Sequence, residues 1–324
     1  MLKKVSIVMC TYNGAVYLAE QLDSLLAQTY PLHEILVQDD GSTDDTWAIL
    51  EQYAKANDII KICRNEGVHG INGNFFSALK KATGDFIAIS DQDDIWEKDK
   101  IAKQVGSIAN SWMCGGFSKP FSSDGFPIRW DVRKPCLHVL RLCYLSEIPG
   151  HVQLFRKELL KYLPNQEEVP YLYDWQLQFL ASAAEKLTFI DDVLVNFRRH
   201  SDAATATKPI SNKGMEGLRT FFFLLRNYHV LHEFTALRFS RIQKMIESLQ
   251  QNHEEFRTES AYLALKLSAY YQNSGVFNYL KMTAFCLRHR DKIFHAREKN
   301  SCKSLLQAIY FPLYSMNYYR GIIK

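Results

Sequence analysis

The sequence predicts an α/β fold in which a mostly parallel sheet is flanked by helices. Two observations carry this prediction. Short apolar runs alternate with amphipathic helical patterns over residues 1 to about 105, and the connections between them are short. Repeated strand–helix units of this kind build a parallel sheet that is covered by helices on both faces. At 324 residues, the chain has room for one such domain and a further region.

The first three strands are predicted at residues 5–9, 35–37 and 59–62, each an apolar run before polar loop residues. Residues 42–45 have the spacing of a capping box, so a helix should start there. Residues 67–73 predict a flexible glycine-rich loop before a helix that begins near Asn74.

The fourth strand is predicted at residues 86–90, and a helix should follow at 98–110. Glycine and proline then punctuate residues 111–131, which predicts a hairpin at the edge of the sheet. Between residues 132 and 200 we expect helices at 158–163 and 173–186 and strands at 187–190 and 193–197.

Helical patterns dominate the last part of the chain. Residues 203–214 are small and polar and contain proline, which is typical of a linker. We therefore divide the chain into an α/β domain at 1–205 and a helical region at 206–324. The helices expected in that region are 217–250, 254–272, 276–296 and 304–320.

A cluster of carboxylates follows the fourth strand. Asp91 and Asp93 are two residues apart, so an extended segment points both side chains the same way, and Asp94 adjoins them. Such carboxylates at the C-terminal end of a strand repel one another unless a cation lies between them. Mg²⁺ takes one or two carboxylates with phosphate oxygens, which indicates a divalent cation on a phosphate-bearing substrate. The alternative is a solvated acidic turn that caps the next helix.

A second acidic pair, Asp39 and Asp40, ends the second strand. Because the ends of parallel strands share one edge of the sheet, both acidic clusters can line one crevice. A carboxylate there can accept hydrogen bonds from a nucleotide base or from ribose, although an ordinary turn with Ser42 also explains Asp40. Residues 10–14 end the first strand and either face the same crevice or only form a turn. The sequence contains neither a dinucleotide fingerprint nor a P-loop.

Three of these segments together resemble the family-2 inverting glycosyltransferases, which use a nucleotide-sugar donor and have the GT-A fold. The resemblance covers residues 3 to about 200, and its Asp-Gln-Asp-Asp-Ile-Trp form is most similar to bacterial rhamnosyltransferase-type members that build surface polysaccharides. It implies a Rossmann-like nucleotide-binding half, followed here by a helical C-terminal appendage. The segments are Val-Met-Cys-Thr-Tyr-Asn-Gly (8–14), Ile-Leu-Val-Gln-Asp-Asp-Gly-Ser-Thr-Asp (35–44) and Ala-Thr-Gly-Asp-Phe-Ile-Ala-Ile-Ser-Asp-Gln-Asp-Asp (82–94).

The resemblance implies which residues bind the donor base. Asp40 and the backbone of Cys10 and Thr11 would hold the nucleotide base, with Asp39 as support. The two further residues expected on this side are Tyr12 and Asn13.

The resemblance also implies a cation site on the donor diphosphate. Asp91 and Asp93 match the family's D-x-D motif, and Asp93 is the expected direct ligand of Mg²⁺ or Mn²⁺, with Gln92 on the donor side. Arg198 and His200 resemble the family's aromatic-Arg-x-His element, which would contact the diphosphate or the metal. A solvated basic turn is the alternative for these two residues.

The acceptor side is implied by residues 171–175, which resemble the family's later acidic motif before a helix. Inversion needs a single displacement in which one carboxylate deprotonates the acceptor hydroxyl, and the motif assigns this to Asp174. The residue type alone suits an exposed acid at a helix N-terminus equally well. Many relatives have Glu before this Asp, where this chain has Tyr. Gly150, His151 and Trp175 would border the acceptor pocket, although a hydrogen-bonding histidine is the simpler interpretation of His151.

The C-terminal segment is basic and aromatic. Residues 281–324 hold 9 lysines and arginines against 2 acidic residues. Such a stretch suits an anionic membrane surface, and it equally suits RNA or a solvated helical face. Because acceptors in the resembling family are often lipid-linked, we expect peripheral membrane contact. No base-reading module is evident, so we expect no nucleic-acid partner.

The expected location is the cytoplasm, at the inner face of the plasma membrane. The sequence has no run of 18 apolar residues, and its start lacks the apolar region and cleavage site of a signal peptide. Its seven cysteines are an odd number without a CxxC pair, which suits a reducing compartment.

These patterns predict a metal-dependent inverting glycosyltransferase of polysaccharide biosynthesis. It would move a hexosyl or deoxyhexosyl group from a nucleoside-diphosphate donor, UDP- or dTDP-linked, to a glycan or lipid-linked glycan. A processive synthase is disfavoured because no Q-x-x-R-W element is present. A non-catalytic nucleotide-sugar-binding scaffold is the alternative from another class, and the presence of Asp91, Asp93 and Asp174 argues against it.

Overall fold

The computed structural model describes residues 2–122, 124–128, 130–164, 171–201, 216–294 and 302–316. Strands and helices alternate in the first part of the chain, as the sequence predicts. The strands are β1 (Val5–Thr11), β2 (Glu34–Asp39), β3 (Ile60–Arg64), β4 (Phe86–Ser90), β5 (Ile95–Trp96), β6 (Met113–Ser122), β7 (Leu154–Arg156) and β8 (Leu187–Arg199). The helices are α1 (Ala15–Leu26), α2 (Thr46–Ala56), α3 (Ile71–Lys81), α4 (Lys100–Ser107), α5 (Val139–Leu142), α6 (Tyr173–Ala183), α7 (Glu216–Arg226), α8 (Tyr228–Asn252), α9 (Glu259–Tyr271), α10 (Val276–Arg288), α11 (Arg290–Ile293) and α12 (Cys302–Tyr314).

The eight strands form one sheet in the order β3-β2-β1-β4-β7-β6-β8-β5. Strands β3, β2, β1 and β4 are parallel, and β6 is parallel to β8. Strand β7 is antiparallel to both β4 and β6, and β5 is antiparallel to β8. Because parallel strands end at one edge, the segments that follow β1, β2 and β4 meet there. The predicted α/β fold with a mostly parallel, helix-flanked sheet is confirmed.

The core lies on both faces of this sheet. Successive residues of a strand point to opposite faces, so Ile7 packs with Leu22 in one cluster while Val8 packs with Phe76 in the other. The second cluster continues into the C-terminal helices. There Phe239 stacks on Tyr271 at 4.0 Å between ring centroids and meets Tyr144 edge-on at 5.4 Å. The C-terminal helices therefore share a core with the sheet.

The hairpin expected at residues 111–131 is wrong where the structure describes it. Met113–Ser122 forms the single strand β6, which lies inside the sheet between β7 and β8. The glycines that suggested a turn have a packing reason instead. A Cβ on Gly115 would lie 2.8 Å from Ile148, and one on Gly116 would lie 2.4 Å from Leu194. Both positions need glycine because neighbouring side chains fill the space.

Strand β8 is also one element where two were expected. Asp191 and Asp192 suggested a break, but their carboxylates pair with the amino groups of Lys134 at 3.0 Å and Lys103 at 2.9 Å. Both residues therefore lie within the strand, and their paired carboxylates are exposed to solvent.

The capping box predicted at residues 42–45 does not start a helix there, because α2 begins at Thr46. Ser42 is used elsewhere: its hydroxyl donates to Asp39 and accepts from the Asn13 N–H. The carboxylate of Asp44 accepts from the Thr46 N–H at 3.0 Å instead.

The helix expected at 217–250 is divided at Asn227 into α7 and α8. The predicted linker at 203–214, the proposed domain boundary at 205/206 and the end of the basic tail after residue 316 lie outside the described residues. The division into two domains therefore stays a prediction. No helix within the described ranges is both long and apolar enough to cross a membrane.

Candidate active site

The loops after β1 and β4 are joined by one amide side chain. Gln92 accepts from the Tyr12 N–H at 2.9 Å and donates to the Tyr12 carbonyl at 3.1 Å. A Cβ on Gly14 would lie 2.3 Å from the Gln92 oxygen, so glycine is needed there. Gln92, predicted on the donor side, therefore fixes the relative position of the two loops.

Asp39 is buried, and its carboxylate accepts hydrogen bonds from five donors. Its carboxylate accepts hydrogen bonds from the hydroxyls of Thr11 at 3.0 Å and Ser42 at 2.5 Å and from Arg64 at 2.7 Å. The N–H groups of Gly41 and Ser42 also donate to it, at 3.1 and 3.0 Å. A buried carboxylate needs such partners, and this set ties together the ends of β1, β2 and β3.

Asp40 binds the loop that follows β3. Its carboxylate accepts from Asn65 Nδ2 at 2.6 Å and from the Gly70 N–H at 2.7 Å, and it contacts His69 Nδ1 at 2.9 Å. Its side chain is 10% exposed. Asn65 and His69 were missed at the sequence level because their link to Asp40 depends on how the β3–α3 loop folds back.

The end of β1 and the residues that follow it lie at the same edge of the sheet. The Thr11 carbonyl accepts from the Asp40 N–H at 2.9 Å, and burial raises the pKa of the Cys10 thiol. Asn13 has a φ of +47° and donates its N–H to Ser42 at 2.9 Å. Tyr12 is 57% exposed, so its ring is available to a ligand. The base-binding roles predicted for these residues stay predictions.

Asp91, Asp94 and His151 form the group in the described residues that is close enough to share a metal ion. Their ligand atoms lie within 4.8 Å of one another, and His151 Nδ1 is 3.2 Å from Asp91. Burial raises the pKa of Asp94 to about 7, which His151 opposes. Burial lowers the pKa of His151, but Asp94 and Asp91 outweigh it and the net shift is upward. His151 stacks on Phe197 at 4.8 Å, and its Nε2 is buried without a partner among the described residues.

Asp93 points to a different neighbour. Its carboxylate lies 3.0 Å from His200 Nε2. Burial and the charge of Asp91 raise the pKa of Asp93, and His200 opposes the shift. The predicted ligand Asp93 and the predicted donor-side His200 are thus adjacent, at the ends of β4 and β8.

Arg198 is a buried anchor for this loop. Its backbone N–H donates to Asp94 at 3.0 Å, its Nε donates to the Asp93 carbonyl at 2.8 Å, and its Nη2 pairs with Glu20. The guanidinium also lies 4.5 Å from the Tyr17 ring centroid. Arg198, predicted to bind the donor, is occupied with holding the acidic loop in place.

Asp174 lies in the first turn of α6 and next to the acidic loop. Burial raises the pKa of its carboxyl to about 6; the Trp175 N–H, which donates at 2.7 Å, lowers it, and the charge of Asp91 raises it further. Gly150 allows α6 to approach, because a Cβ there would lie 2.7 Å from the Tyr173 hydroxyl. An ionisable group with a shifted pKa beside other acids is typical of a functional site.

The start of α6 is held by a residue that the sequence did not reveal. Asn72 in α3 accepts from the Tyr173 N–H at 3.0 Å and donates to the Tyr171 carbonyl at 3.0 Å. It thereby caps α6 at Tyr173, 101 residues away in the chain, and so positions the adjacent Asp174. Trp175, predicted at the acceptor, is buried instead and donates to the Leu142 carbonyl at 2.7 Å.

Comparison with known proteins relates about half of the chain to one family. Residues 6–162 match the family described as glycosyl transferase family 2. The chain is 38% identical over 133 residues to the putative teichuronic acid biosynthesis glycosyltransferase TuaG of Bacillus subtilis, covering 40% of this chain and 53% of the relative. It is 37% identical over 116 residues to the UDP-Glc:alpha-D-GlcNAc-diphosphoundecaprenol beta-1,3-glucosyltransferase WfgD of Escherichia coli, covering 35% and 45%. The matches span about half the length of these curated relatives.

Among solved structures, the fold is similar to that of S. aureus TarS 1-349. The TM-score is 0.52 at 18% identity, with 98% of this chain and 90% of that chain covered. At this identity the likeness supports the GT-A fold.

Proposed function

We propose, on the premise that residues 6–162 belong to glycosyl transferase family 2, that this protein transfers a sugar from a nucleoside-diphosphate donor to a glycan or lipid-linked glycan. One observation carries the proposal. At the edge of the sheet where β1, β2 and β4 end, the acidic loop after β4 lies beside His151 and the partly buried carboxylate of Asp174. This arrangement combines a cation-binding group with a proton acceptor.

The proposed cation ligands are Asp93 and His200, with Asp91 beside them. A divalent cation on a diphosphate must be reached by phosphate oxygens and water. The side chains of Asp91, Asp93 and His200 are 37%, 20% and 10% exposed, whereas those of Asp94 and His151 are 0% and 3% exposed. Asp94 and His151 therefore suit an internal support, and Asp93 and His200, with the exposed Asp91 beside them, suit a site that substrate can reach.

Carboxylate donors together with phosphate oxygens fit Mg²⁺ or Mn²⁺ at this position. When bound there, the cation neutralises the charge that develops on the leaving diphosphate. Arg198 and Gln92 keep the acidic loop rigid through backbone contacts, so the ligands need little rearrangement.

The proposed base is Asp174, which gives inversion at the anomeric carbon. The acceptor oxygen forms a bond to that carbon, the bond from the carbon to the diphosphate oxygen breaks, and Asp174 receives the hydroxyl proton. A carboxyl pKa raised to about 6 makes Asp174 a stronger base than an exposed aspartate while it remains mostly ionised at pH 7. Asn72 and Gln153, which donates to the Asp174 carbonyl at 3.0 Å, hold the backbone at this point.

The proposed donor is a UDP- or dTDP-linked hexose or deoxyhexose. Asp40 and Tyr12 follow the C-terminal ends of β2 and β1, and they would contact the nucleotide base. The E. coli relative is named for UDP-Glc and a diphosphoundecaprenol-linked acceptor, and the B. subtilis relative is named for teichuronic acid biosynthesis. These names support polysaccharide biosynthesis on a lipid-linked acceptor as the role of this protein.

Peripheral membrane contact is proposed for one face of α10 and α12. The hydroxyl of Tyr279 in α10 donates to the Ile309 carbonyl in α12 at 3.1 Å, so the helices adjoin. The outer side of α10 adds Lys281 and Arg288, and neither helix contains an acidic residue. Apolar and basic side chains together suit an anionic bilayer, here the inner face of the plasma membrane. The exposed apolar residues are Val276, Phe277, Leu280, Leu305, Leu306 and Ile309.

Vesicle flotation tests this surface. The protein should float with phosphatidylglycerol vesicles at low salt, and Phe277→Ser with Leu306→Ser should abolish flotation. Tyr262→Ser, which changes an exposed residue of α9, should float as the wild type does. Equal flotation of all three proteins would contradict the proposed face.

A donor panel tests the function itself. The purified protein is incubated with UDP-, GDP- and dTDP-sugars, with Mg²⁺ or Mn²⁺ or with a chelator, and release of the nucleoside diphosphate is measured. We expect metal-dependent turnover of at least one UDP- or dTDP-sugar. Binding of a nucleotide sugar without turnover under any condition would instead favour a non-catalytic scaffold.

A further inference from the structure

A groove of about 720 Å³ runs along α8, outside the strand-end site. One wall is α8, and the other is formed by residues 161–164. The groove is lined by the basic side chains of Lys161, Arg241 and Lys244 and by His253. None of the described residues that line it is acidic.

The α8 wall is a continuous stripe. Its residues recur at intervals of three and four positions, so they lie on one face of the helix. At 1.5 Å per residue, the stripe is about 22 Å long. Apolar side chains of Met245 and Leu249 also line the groove and are nearly buried. The members of the stripe are Leu237, Arg241, Lys244, Ser248 and Asn252.

One end of the groove reaches Tyr171, which precedes the helix that carries the proposed base. Tyr171, three residues before Asp174, donates its hydroxyl to the Arg238 carbonyl at 3.4 Å, and the Arg238 guanidinium lies 4.7 Å from its ring centroid. Burial raises the pKa of Tyr171, and the charges of Arg238 and Arg241 oppose the shift. Arg241 is thus close to this hydroxyl, and it is also the first cationic residue of the stripe.

We propose that this groove binds a part of the acceptor glycan that carries carboxylate or phosphate groups, while the reacting hydroxyl lies at Asp174. This rests on the glycosyl transfer proposed above. The carboxylates of Glu158 and Glu255 lie near Lys161 at one end of the groove, whereas the described lining residues contribute only cationic charge. Such a lining raises the local concentration of an anionic chain. Arg241 can bind a carboxylate or a phosphate in a bidentate manner, and the apolar lining can pack against sugar rings.

The binding test uses three probes of similar length. Oligogalacturonate supplies carboxylates, polyphosphate supplies phosphates, and maltohexaose is neutral. Calorimetry at low salt should give binding of one or both anionic probes and at least tenfold weaker binding of maltohexaose. The anion that binds more tightly identifies the charged group. Equal binding of the neutral probe would overturn the proposal.

Variants locate the site. Arg241→Ala with Lys244→Ala should weaken anion binding at least tenfold, and Lys244→Glu should weaken it by a similar factor. Lys266→Ala, at an exposed position of α9, is the matched control and should leave the affinity unchanged. The same affinity in the groove variants and in the control would show that the anion binds elsewhere.

Donor hydrolysis separates the two proposals. The groove variants should hydrolyse the donor at the wild-type rate, because they leave the strand-end site untouched. Absence of hydrolysis in the wild type would contradict glycosyl transfer, whereas normal hydrolysis with unchanged anion affinity would overturn only the groove.

Discussion

Carboxylates follow both β2 and β4 at the same edge of the sheet, and their surroundings differ. Asp39 accepts five hydrogen bonds and Asp40 three from the described residues. The carboxylates of Asp91, Asp93 and Asp94 each have one such partner among the same residues. We call these the donor-rich pair, Asp39 and Asp40, and the donor-poor cluster, Asp91, Asp93 and Asp94.

The difference in hydrogen-bond partners distinguishes carboxylates that hold the backbone in place from carboxylates that can bind a ligand. A carboxylate surrounded by donors is stable in its charged form and fixes the backbone around it. Carboxylates that are buried together with few donors repel one another, and burial raises the pKa values of Asp93 and Asp94. A cation or a proton relieves that repulsion. The donor-poor cluster is therefore the one prepared for a ligand, and predictions follow from altering each side.

The largest expected effect is on Asp174, which borders the donor-poor cluster. Asp174→Asn should lower the rate of transfer by about 10²- to 10⁴-fold, because the hydroxyl proton loses its acceptor. Affinity for the donor, measured by calorimetry with UDP, should stay within about twofold of the wild type. A near-normal transfer rate would remove Asp174 as the base.

The two clusters should also differ in what an isosteric amide does to stability. Asp39→Asn breaks a buried network that includes Arg64 and should cost about 2 kcal/mol of unfolding free energy. Asp94→Asn keeps the contact with the Arg198 N–H and removes a poorly compensated charge, so its cost should be within about 1 kcal/mol. Urea denaturation of both variants measures this, and the opposite order would contradict the division into two clusters.

The dependence of kcat/KM on pH should show the ionisation of Asp174 as a decrease at acidic pH. Because Asp174 acts when ionised, kcat/KM should reach its plateau above the Asp174 pKa of about 6. Below that pH it should fall tenfold per pH unit. The residual activity of Asp174→Asn provides the control, since it should lack this limb. A wild-type profile that stays flat from pH 7 to pH 5 would argue for a different proton acceptor.

The smallest effect is expected at Asp40, the more exposed member of the donor-rich pair. Asp40→Asn keeps one acceptor oxygen for its loop contacts and loses the charge that is proposed to contact the nucleotide base, so UDP affinity should fall about fivefold. Mn²⁺ affinity in the presence of saturating UDP should not change. Loss of Mn²⁺ binding in this variant would mean that the two clusters act as one site.

Local sequence pattern predicted the parallel half of the fold well. Val5–Thr11, Glu34–Asp39 and Phe86–Ser90 are apolar runs whose polar ends lie at one edge, as expected. The mixed half, β5 to β8, was predicted only in part because its pairing depends on distant contacts. Gly115 and Gly116 suggested a turn, whereas their lack of side chains accommodates Ile148 and Leu194.

The same limit applies to the site. The alternation of strands and helices predicted that Asp40, Asp91 and Asp93 lie at one edge of the sheet. The resemblance to family-2 glycosyltransferases, and not the local pattern, predicted that Asp174 joins them. The contacts that hold them do not follow a local pattern. Asn72 reaches Tyr173 across 101 residues, and Arg198 reaches Asp94 across 104.

Binding of Mn²⁺ in the presence of UDP tests the central claim most directly. Titration by electron paramagnetic resonance should show one tight site in the wild type and in Asp94→Asn. Asp93→Asn and His200→Ala should each weaken it at least tenfold. If Asp94→Asn and His151→Ala lose the ion while Asp93→Asn retains it, the cation belongs to the buried Asp91–Asp94–His151 group, and the assignment of Asp93 and His200 as its ligands is wrong.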